Sequence, residues 1–156
     1  MTLSFINKGI GGLEFVEPLW YGLRDHHAGN SPNFSQAITK HHFQERSNEI
    51  RAKAEHGSVH ICLVLHEESG TYVGYCISSI NEAGEGEIDS LFIMEAYRKR
   101  GVGDRLMNNA LEWFRSRRVE DISISVMVGN ESAFSFYERY GFYPRTYTLK
   151  LKNEQV

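Results

Sequence analysis

A chain of 156 residues with 41% hydrophobic content has enough apolar material for one packed core, which argues for a single domain over residues 1–156 and against global disorder. The net charge of −3 gives no general electrostatic reason to bind nucleic acid, and no apolar run is long enough to cross a bilayer. The first ten residues lack the pattern of a signal peptide, and two cysteines, Cys62 and Cys76, fit buried thiols in a reducing, cytoplasmic setting, although a bond between them on neighbouring strands stays open.

Residues 3–6 read as a short first strand, ended by Gly9, Gly11 and Gly12. Apolar residues then recur at Leu13, Val16, Trp20 and Leu23, the stripe of a helix over residues 13–27. Residues 28–33 form a turn rich in Gly, Asn, Ser and Pro. Residues 34–55 are polar and strand-poor, and read as helix with Phe34, Ile38 and Ile50 inward.

Residues 59–66 alternate, with Val59, Ile61, Leu63 and Leu65 on one face. Glu67-Glu68-Ser69-Gly70 makes the hairpin turn into a return strand over residues 72–80. After a turn at 81–86, residues 87–94 form another strand. Residues 102–117 are a strongly amphipathic helix lined by Val102, Leu106, Ala110, Trp113 and Phe114. Residues 121–128 alternate as a strand, Asn130 suits the N-cap of a short helix running to Tyr140, and Gly141 ends it. Residues 142–151 form a last strand, with Pro144 near its start. The order β-α-α-β-β-β-α-β-α-β implies a mixed sheet in an α/β (α+β) domain.

Between the strand at 87–94 and the helix at 102 lies Arg98-Lys99-Arg100-Gly101-Val102-Gly103. Three cations beside two glycines at a helix N-terminus suit a pyrophosphate. The first amides of a helix are unpaired, its dipole favours an anion, and glycine lets a ligand approach the main chain. No Gly-Lys-Ser/Thr follows, so this is not a P-loop. Leu106 stands where a dinucleotide fingerprint needs its third glycine.

This loop, the strand before it and a second stretch together resemble the GNAT superfamily of acetyl-CoA-dependent N-acetyltransferases. Residues 87–103 are similar to the family's fourth strand and its Arg/Gln-x-x-Gly-x-Gly/Ala loop at Arg98, Gly101 and Gly103. Asn130-Glu-Ser-Ala-Phe-Ser-Phe-Tyr-Glu-Arg-Tyr-Gly-Phe142 matches the family's Asn-x-x-Ala-x-x-Phe-Tyr-x-x-x-Gly-Phe segment at every named position. The resemblance implies a GNAT-like fold whose fourth and fifth strands splay apart, and acetyl-CoA as co-substrate. Arg98, Lys99, Arg100, Gly101, Val102 and Gly103 would hold its pyrophosphate. The pantetheine arm would run beside the main chain of Leu91, Phe92 and Ile93, with Asn130, Ala133, Phe136 and Tyr137 on its other side. A homodimer accords with the habit of the family.

Acetyl transfer to an amine needs a proton acceptor for the amine, a donor for the carbonyl oxygen, a proton for the leaving thiolate, and both reactants held together. By the resemblance, the Tyr137 hydroxyl is the acid. Glu87, eleven residues before Arg98, is the base, with Asp89 as its rival and solvent as a third route. Strand alternation puts Glu87, Asp89 and Leu91 on one face, where mutual repulsion would raise one carboxyl pKa. Ser125 stands where some relatives carry a glutamate on the fifth strand. The Leu91 amide is the expected carbonyl donor. The seven histidines show no metal-ligand spacing, so no metal is expected, although His26 or His27 could line the acceptor pocket.

The acceptor is a small-molecule or protein amine. Trp20, Tyr21, Glu14, Glu17 and Asp25 offer aromatic and acidic groups on the first helix that could receive its cation, although a core Trp20 with solvated acids is the plainer reading. The alternative function class is a non-catalytic acyl-CoA-binding or sensing domain, which would keep the loop and dispense with acid and base. A nucleotide-binding interaction protein is the third class.

Overall fold

The computed structural model describes residues 1–153. Its centre is a five-stranded sheet in the order β1-β2-β3-β4-β5. Strands β1 (Leu3–Lys8), β2 (Ser58–His66), β3 (Thr71–Ile80) and β4 (Gly86–Ile93) form an antiparallel meander, and β5 (Ile122–Ile124) joins β4 in parallel. The sheet is therefore mixed, with helices on both faces.

Those two faces explain why the inner strands bury more than alternation alone requires. On one side Leu13, Val16, Trp20, Phe43 and Ile50 pack against Ile61, Leu63, Tyr75, Ile77 and Phe92. On the other, helix α4 (Val102–Ser116) presents Val102, Leu106, Met107, Ala110 and Phe114 to Cys62, Val64, Cys76 and Ile88. Strand β2 thus uses its odd residues for one core and its even residues for the other, the pattern of a strand covered twice. Cys62 faces Cys76 across the β2–β3 register, and both are buried free thiols.

The first helical stripe divides into a 3₁₀ turn (Ile10–Phe15) and helix α1 (Glu17–Asn30), which runs into the expected turn at 28–33. The expected single helix over 34–55 is two helices, α2 (Ser35–Thr39) and α3 (Phe43–His56). The break falls at His42, whose amide donates to the Glu45 carboxylate, so a fresh N-terminus is capped there. Helix α3 then buries Phe43, Ser47 and Ile50 on one stripe.

The C-terminal third departs furthest from expectation. The strand expected over 121–128 keeps only Ile122–Ile124. The helix expected from Asn130 to Tyr140 is a 3₁₀ turn (Glu131–Ala133) followed by α5 (Phe134–Glu138). The last expected strand, 142–151, takes no regular structure up to residue 153, and Tyr143, Tyr147, Leu149 and Leu151 are exposed. Alternation gives a segment the face of a strand but not a partner edge, and an unpaired strand gains no ladder bonds. Among the described residues no helix is long and apolar enough to cross a membrane.

Candidate functional site

Strand β5 pairs with β4 only through Gly86, Ile88 and the residue between them. Strand β4 continues to Ile93, so its outer edge is without a strand partner from Asp89 onward. The Met94 amide donates to Val73 on β3 (2.9 Å), and the Phe92 carbonyl also faces β3 against Gly74. By the two-residue period, the main-chain groups of Leu91 and Ile93 face the opposite, open edge. The gap between β4 and β5 is thus lined on one side by main-chain polar groups.

A bulge turns β4 within this stretch. The register with β3 shifts opposite Ile77 and Ser78, leaving Asp89 as the extra residue. Ile88, Leu91 and Ile93 pack on the α4 side, whereas Ser90 bonds the Tyr75 hydroxyl (2.7 Å) on the other. Glu87 and Asp89 both reach α3. The expectation that Glu87, Asp89 and Leu91 share one face therefore holds for the two acids and fails for Leu91, because the bulge inserts a residue between them.

Beyond Ile93 the chain makes a 3₁₀ turn (Glu95–Tyr97) and enters the glycine loop. Lys99 has φ of 60° and Gly101 φ of 78°, the left-handed region in which glycine carries no Cβ penalty. Gly101 is the N-cap of α4, and the first bond of the helix runs from the Arg105 amide to the Gly101 carbonyl (3.1 Å). The amides of Val102, Gly103 and Asp104 precede that ladder, and no side chain caps them. A Cβ on Gly101 would meet nothing within 4 Å, so the cradle opens outward. The Val102 side chain is buried and leaves only its main chain to the loop. Arg98 folds back, its Nε donating to the Ile93 carbonyl (2.8 Å) and its guanidinium lying over the Phe92 ring, while Lys99 and Arg100 are exposed.

Across the gap stands α5. Phe136 sits against Gly103, where a Cβ would come within 3.2 Å of its ring. The Tyr140 hydroxyl and the Arg139 guanidinium both bind the Asp104 carboxylate, tying α5 to the first turn of α4. They engage the one acid of that turn. Tyr137 packs on the α4-side core near Cys76, and its hydroxyl makes no hydrogen bond to another described residue. Burial, with Cys76 adding to it, pushes that hydroxyl up to about 12, so it is neutral at physiological pH. Asn130 and Ala133 begin the turn that leads into α5, the Ala133 amide donating to the Asn130 carbonyl (3.0 Å).

The two carboxylates differ in setting. The Asp89 side chain is fully buried and that of Glu87 is 40% exposed. Lys53 on α3 pairs with both, its Nζ lying 3.1 Å from Glu87 Oε1 and on Asp89 Oδ1. Burial holds the Asp89 carboxyl above its ordinary range, although Lys53 pulls the other way and Glu87 adds a small push upward. The expected pKa rise thus occurs, but desolvation rather than mutual repulsion dominates it. Burial lowers the Lys53 pKa, and the two carboxylates outweigh that, so its ammonium stands above its ordinary value. Arg46, one further residue of α3, donates to the Asp89 carbonyl (2.7 Å). Nothing in the sequence marked Lys53 or Arg46, because only tertiary packing brings α3 to β4.

On the α1 side lies an open cleft of about 770 Å³. Phe15, Leu19, Tyr72 and Phe92 give it apolar walls, and Glu14, His26, Glu95 and Arg98 its charged or titratable groups. Of the first-helix residues read as candidate acceptor contacts, Glu14 lines this cleft and Trp20 is core. The Tyr21 hydroxyl accepts from the Phe43 amide, and Asp25 pairs with Arg24. His26 also lines the cleft. His27 is half-buried, and burial followed by the charge of His26 lowers its pKa. Among the described residues no cluster of three or more His, Cys, Asp or Glu is placed to hold a metal.

Comparison with known proteins agrees with this geometry. The family model described as acetyltransferase (GNAT) family matches residues 20–142. An uncharacterized N-acetyltransferase of Methanocaldococcus jannaschii is 32% identical over 92 residues, 58% of this chain and 41% of that protein. N-alpha-acetyltransferase 30 of Schizosaccharomyces pombe is 39% identical over 68 residues, 42% of this chain and 45% of that protein. The chain therefore spans less than half the length of either relative. A crystal structure of a GCN5-related N-acetyltransferase from Ralstonia eutropha superposes with a TM-score of 0.72, covering 96% of this chain and 98% of the other at 18% identity, a likeness of fold.

Proposed function

Because the chain belongs to the acetyltransferase (GNAT) family, we propose that it moves an acetyl group from acetyl-CoA to a primary amine by direct attack while both are bound. The observation that carries this reading is that β4 loses its β5 partner after Ile88 in the same stretch of chain that leads to the uncapped amides of α4, with the Tyr137 hydroxyl packed on the α4-side core and without a hydrogen-bond partner among the described residues. The amides of Val102, Gly103 and Asp104 bind the pyrophosphate, and Lys99 and Arg100 add charge from outside. Arg98 serves chiefly by closing the end of β4. The pantetheine arm takes up the main-chain groups of Leu91 and the Ile93 amide as an added strand would, the Ile93 carbonyl being held by Arg98. The Leu91 amide faces the developing charge on the thioester oxygen. Phe92 contributes no contact of its own, its main chain being paired with β3 and its ring committed to the α1-side core, and Asn130, Ala133 and Phe136 form the other wall.

Tyr137 donates a hydrogen bond to the departing sulfur. Its raised pKa keeps the hydroxyl protonated, so the thiolate, a weaker base than the phenolate, is stabilised by that bond as it leaves. Glu87, the more exposed acid, takes the proton of the amine, and Asp89 is committed to Lys53. The acceptor is a small molecule or a polypeptide amine. The yeast relative acts, by its name, on α-amino groups, which places peptide amino termini first in a substrate panel.

The test is turnover. Thiol release from acetyl-CoA is followed with a panel of peptides, amino-acid derivatives and polyamines, and the acetylated product is identified by mass. Amine-dependent release with matching product is expected. Tight binding of coenzyme A with no release for any amine would instead support the acyl-CoA-sensing alternative.

A further inference from the structure

The Lys53 ammonium sits between two carboxylates that the reaction would otherwise set against each other. We propose that Lys53 is a positioning residue for the acetyl-transfer reaction: it keeps the Asp89 carboxylate ionised and holds the Glu87 carboxylate in place, and so sets the pH below which amine turnover is lost. The proposal rests on the N-acetyltransferase reading above and adds a residue from outside the cofactor motifs.

Geometry carries it. Asp89 is driven into the α3 side by the β4 bulge, and its side chain has no exposed surface. One oxygen meets Lys53, while Oδ2 is buried without a hydrogen-bond partner among the described residues. A buried carboxylate with one oxygen unsupported remains charged only while an opposite charge is in contact. Lys53 is the only cationic side chain in contact with that carboxylate among the described residues, since Arg46 is spent on the Asp89 main-chain carbonyl and on Glu49. From β3 the Ser79 hydroxyl faces the same carboxyl, and the Cys76 thiol in the α4-side core senses its charge only through space. Glu87 faces it from β4 itself, and its neighbour on β5, Ser123, carries no charge. The burial of Asp89 thus works against its charge and Lys53 works for it.

The bond to Glu87 gives this arrangement its consequence. Lys53 touches both acids, so it favours the charged form of Asp89 while fixing the place of the Glu87 carboxylate. Without the ammonium, Asp89 would take up a proton first, and Glu87 would lose the cation that holds its carboxylate in one orientation. Removing an adjacent cation raises a carboxyl pKa, commonly by about one to three units. The Asp89 carboxyl would then be protonated, and activity that depends on its charge lost, at a higher pH than in the unaltered protein.

The experiment compares Lys53→Met and Lys53→Arg with the unaltered protein. The acidic limb of kcat/KM against pH is measured with acetyl-CoA saturating. In parallel, side-chain carboxyl resonances are titrated by carbon-13 NMR on the protein without substrate, with Asp89→Asn assigning the buried group. The expected result is an acidic limb displaced upward by about one pH unit or more in Lys53→Met, with the Asp89 resonance moving in the same direction and Lys53→Arg restoring most of both. A loss of rate equal at every pH, with the limb unmoved, would overturn the proposal and leave Lys53 a structural residue. If the unaltered protein acetylates no amine, the N-acetyltransferase reading fails on its own. The Asp89 titration still decides the clamp: a midpoint unchanged by Lys53→Met refutes it. Should Lys53→Met not fold, Lys53→Gln, which keeps the stem and hydrogen bonding but not the charge, takes its place.

Discussion

Replacing Tyr137 by phenylalanine separates the structural worth of that residue from its chemistry. The ring packs on the α4-side core and touches Phe136 at a centroid distance of 5.2 Å, and the substitution keeps those contacts. The hydroxyl makes no hydrogen bond to another described residue. An ordinary hydrogen bond is worth about 0.5–1.5 kcal/mol net, so with none to lose the change in stability stays below about 0.5 kcal/mol. For a chain of this length that is a melting shift under about 2 °C. A positioned proton donor is worth about 10²–10⁴ in rate. Steady-state kinetics of Tyr137→Phe with acetyl-CoA and an accepted amine should therefore show kcat lowered by about 10²-fold or more, with KM for acetyl-CoA within about threefold of the unaltered value. Because the hydroxyl is pushed up to about 12, any alkaline loss of rate setting in below pH 10.0, the ordinary tyrosine value, belongs to a different group. The reasoning is refuted if the variant keeps at least half of kcat, or if it loses rate and melts many degrees lower together.

Three further outcomes follow from the same geometry. In Gly86→Ala the new methyl would lie 2.6 Å from Phe114 Cε1 and 3.0 Å from Val119 Cγ1, so about 1–3 kcal/mol should be lost to overpacking; calorimetry showing an unchanged melting temperature would mean that the β4–β5 junction yields freely. Gly101→Val asks a β-branched residue to hold φ of 78° with nothing crowding it, so the loop should rearrange and calorimetric titration should find coenzyme A affinity at least about tenfold weaker, with Gly101→Asn much less affected. Burial pushes the Cys62 thiol up to about 11 and the Cys76 thiol up to about 12, so a thiol reagent at pH 8 should count almost none in the native protein and two after denaturation. Their native pKa values lie above the unfolded value of 9.0, so the stability they contribute is intact below that value and is lost as pH rises towards 11 and 12. A denaturation midpoint that fails to fall between pH 9 and pH 11 would count against this.

The residues that could be read from sequence are those whose signal is local. Helix α4 was legible to within a residue because Val102, Leu106, Ala110 and Phe114 repeat at helical spacing and Gly101 stops the chain before it. The loop at residues 98–103 was legible for the same reason, since its conformation and its free amides belong to consecutive residues. The break between α2 and α3 turns on a weak cap at His42 that composition does not advertise. Residues 142–151 have the alternation of a strand, yet whether a strand forms is decided by an edge elsewhere in the fold. Lys53 stands 36 residues before Asp89 on a polar helix, with nothing to distinguish its charge from that of Arg51 or Arg46 until α3 is laid against β4.

The bulge at Asp89 is the feature on which the two halves of the proposed site depend. A regular strand would place Glu87, Asp89 and Leu91 on one face, so the acids would project with Leu91 towards α4 and Tyr137. Adding one residue turns the acids toward α3 and Lys53, while Leu91 and Ile93 keep their side chains in the α4-side core. The main chain of Leu91 and Ile93 then remains directed at the gap left by β5. The proposed proton acceptor and proton donor thus lie on opposite faces of one strand, with the main chain that lacks a strand partner running between them. For direct transfer that separation is useful, because the amine must lose a proton on one side of the reacting carbon and the sulfur must gain one on the other. Two groups of opposite duty within hydrogen-bond reach would instead bond to each other. The irregularity in β4 is therefore what leaves Glu87 and Tyr137 free for their proposed roles.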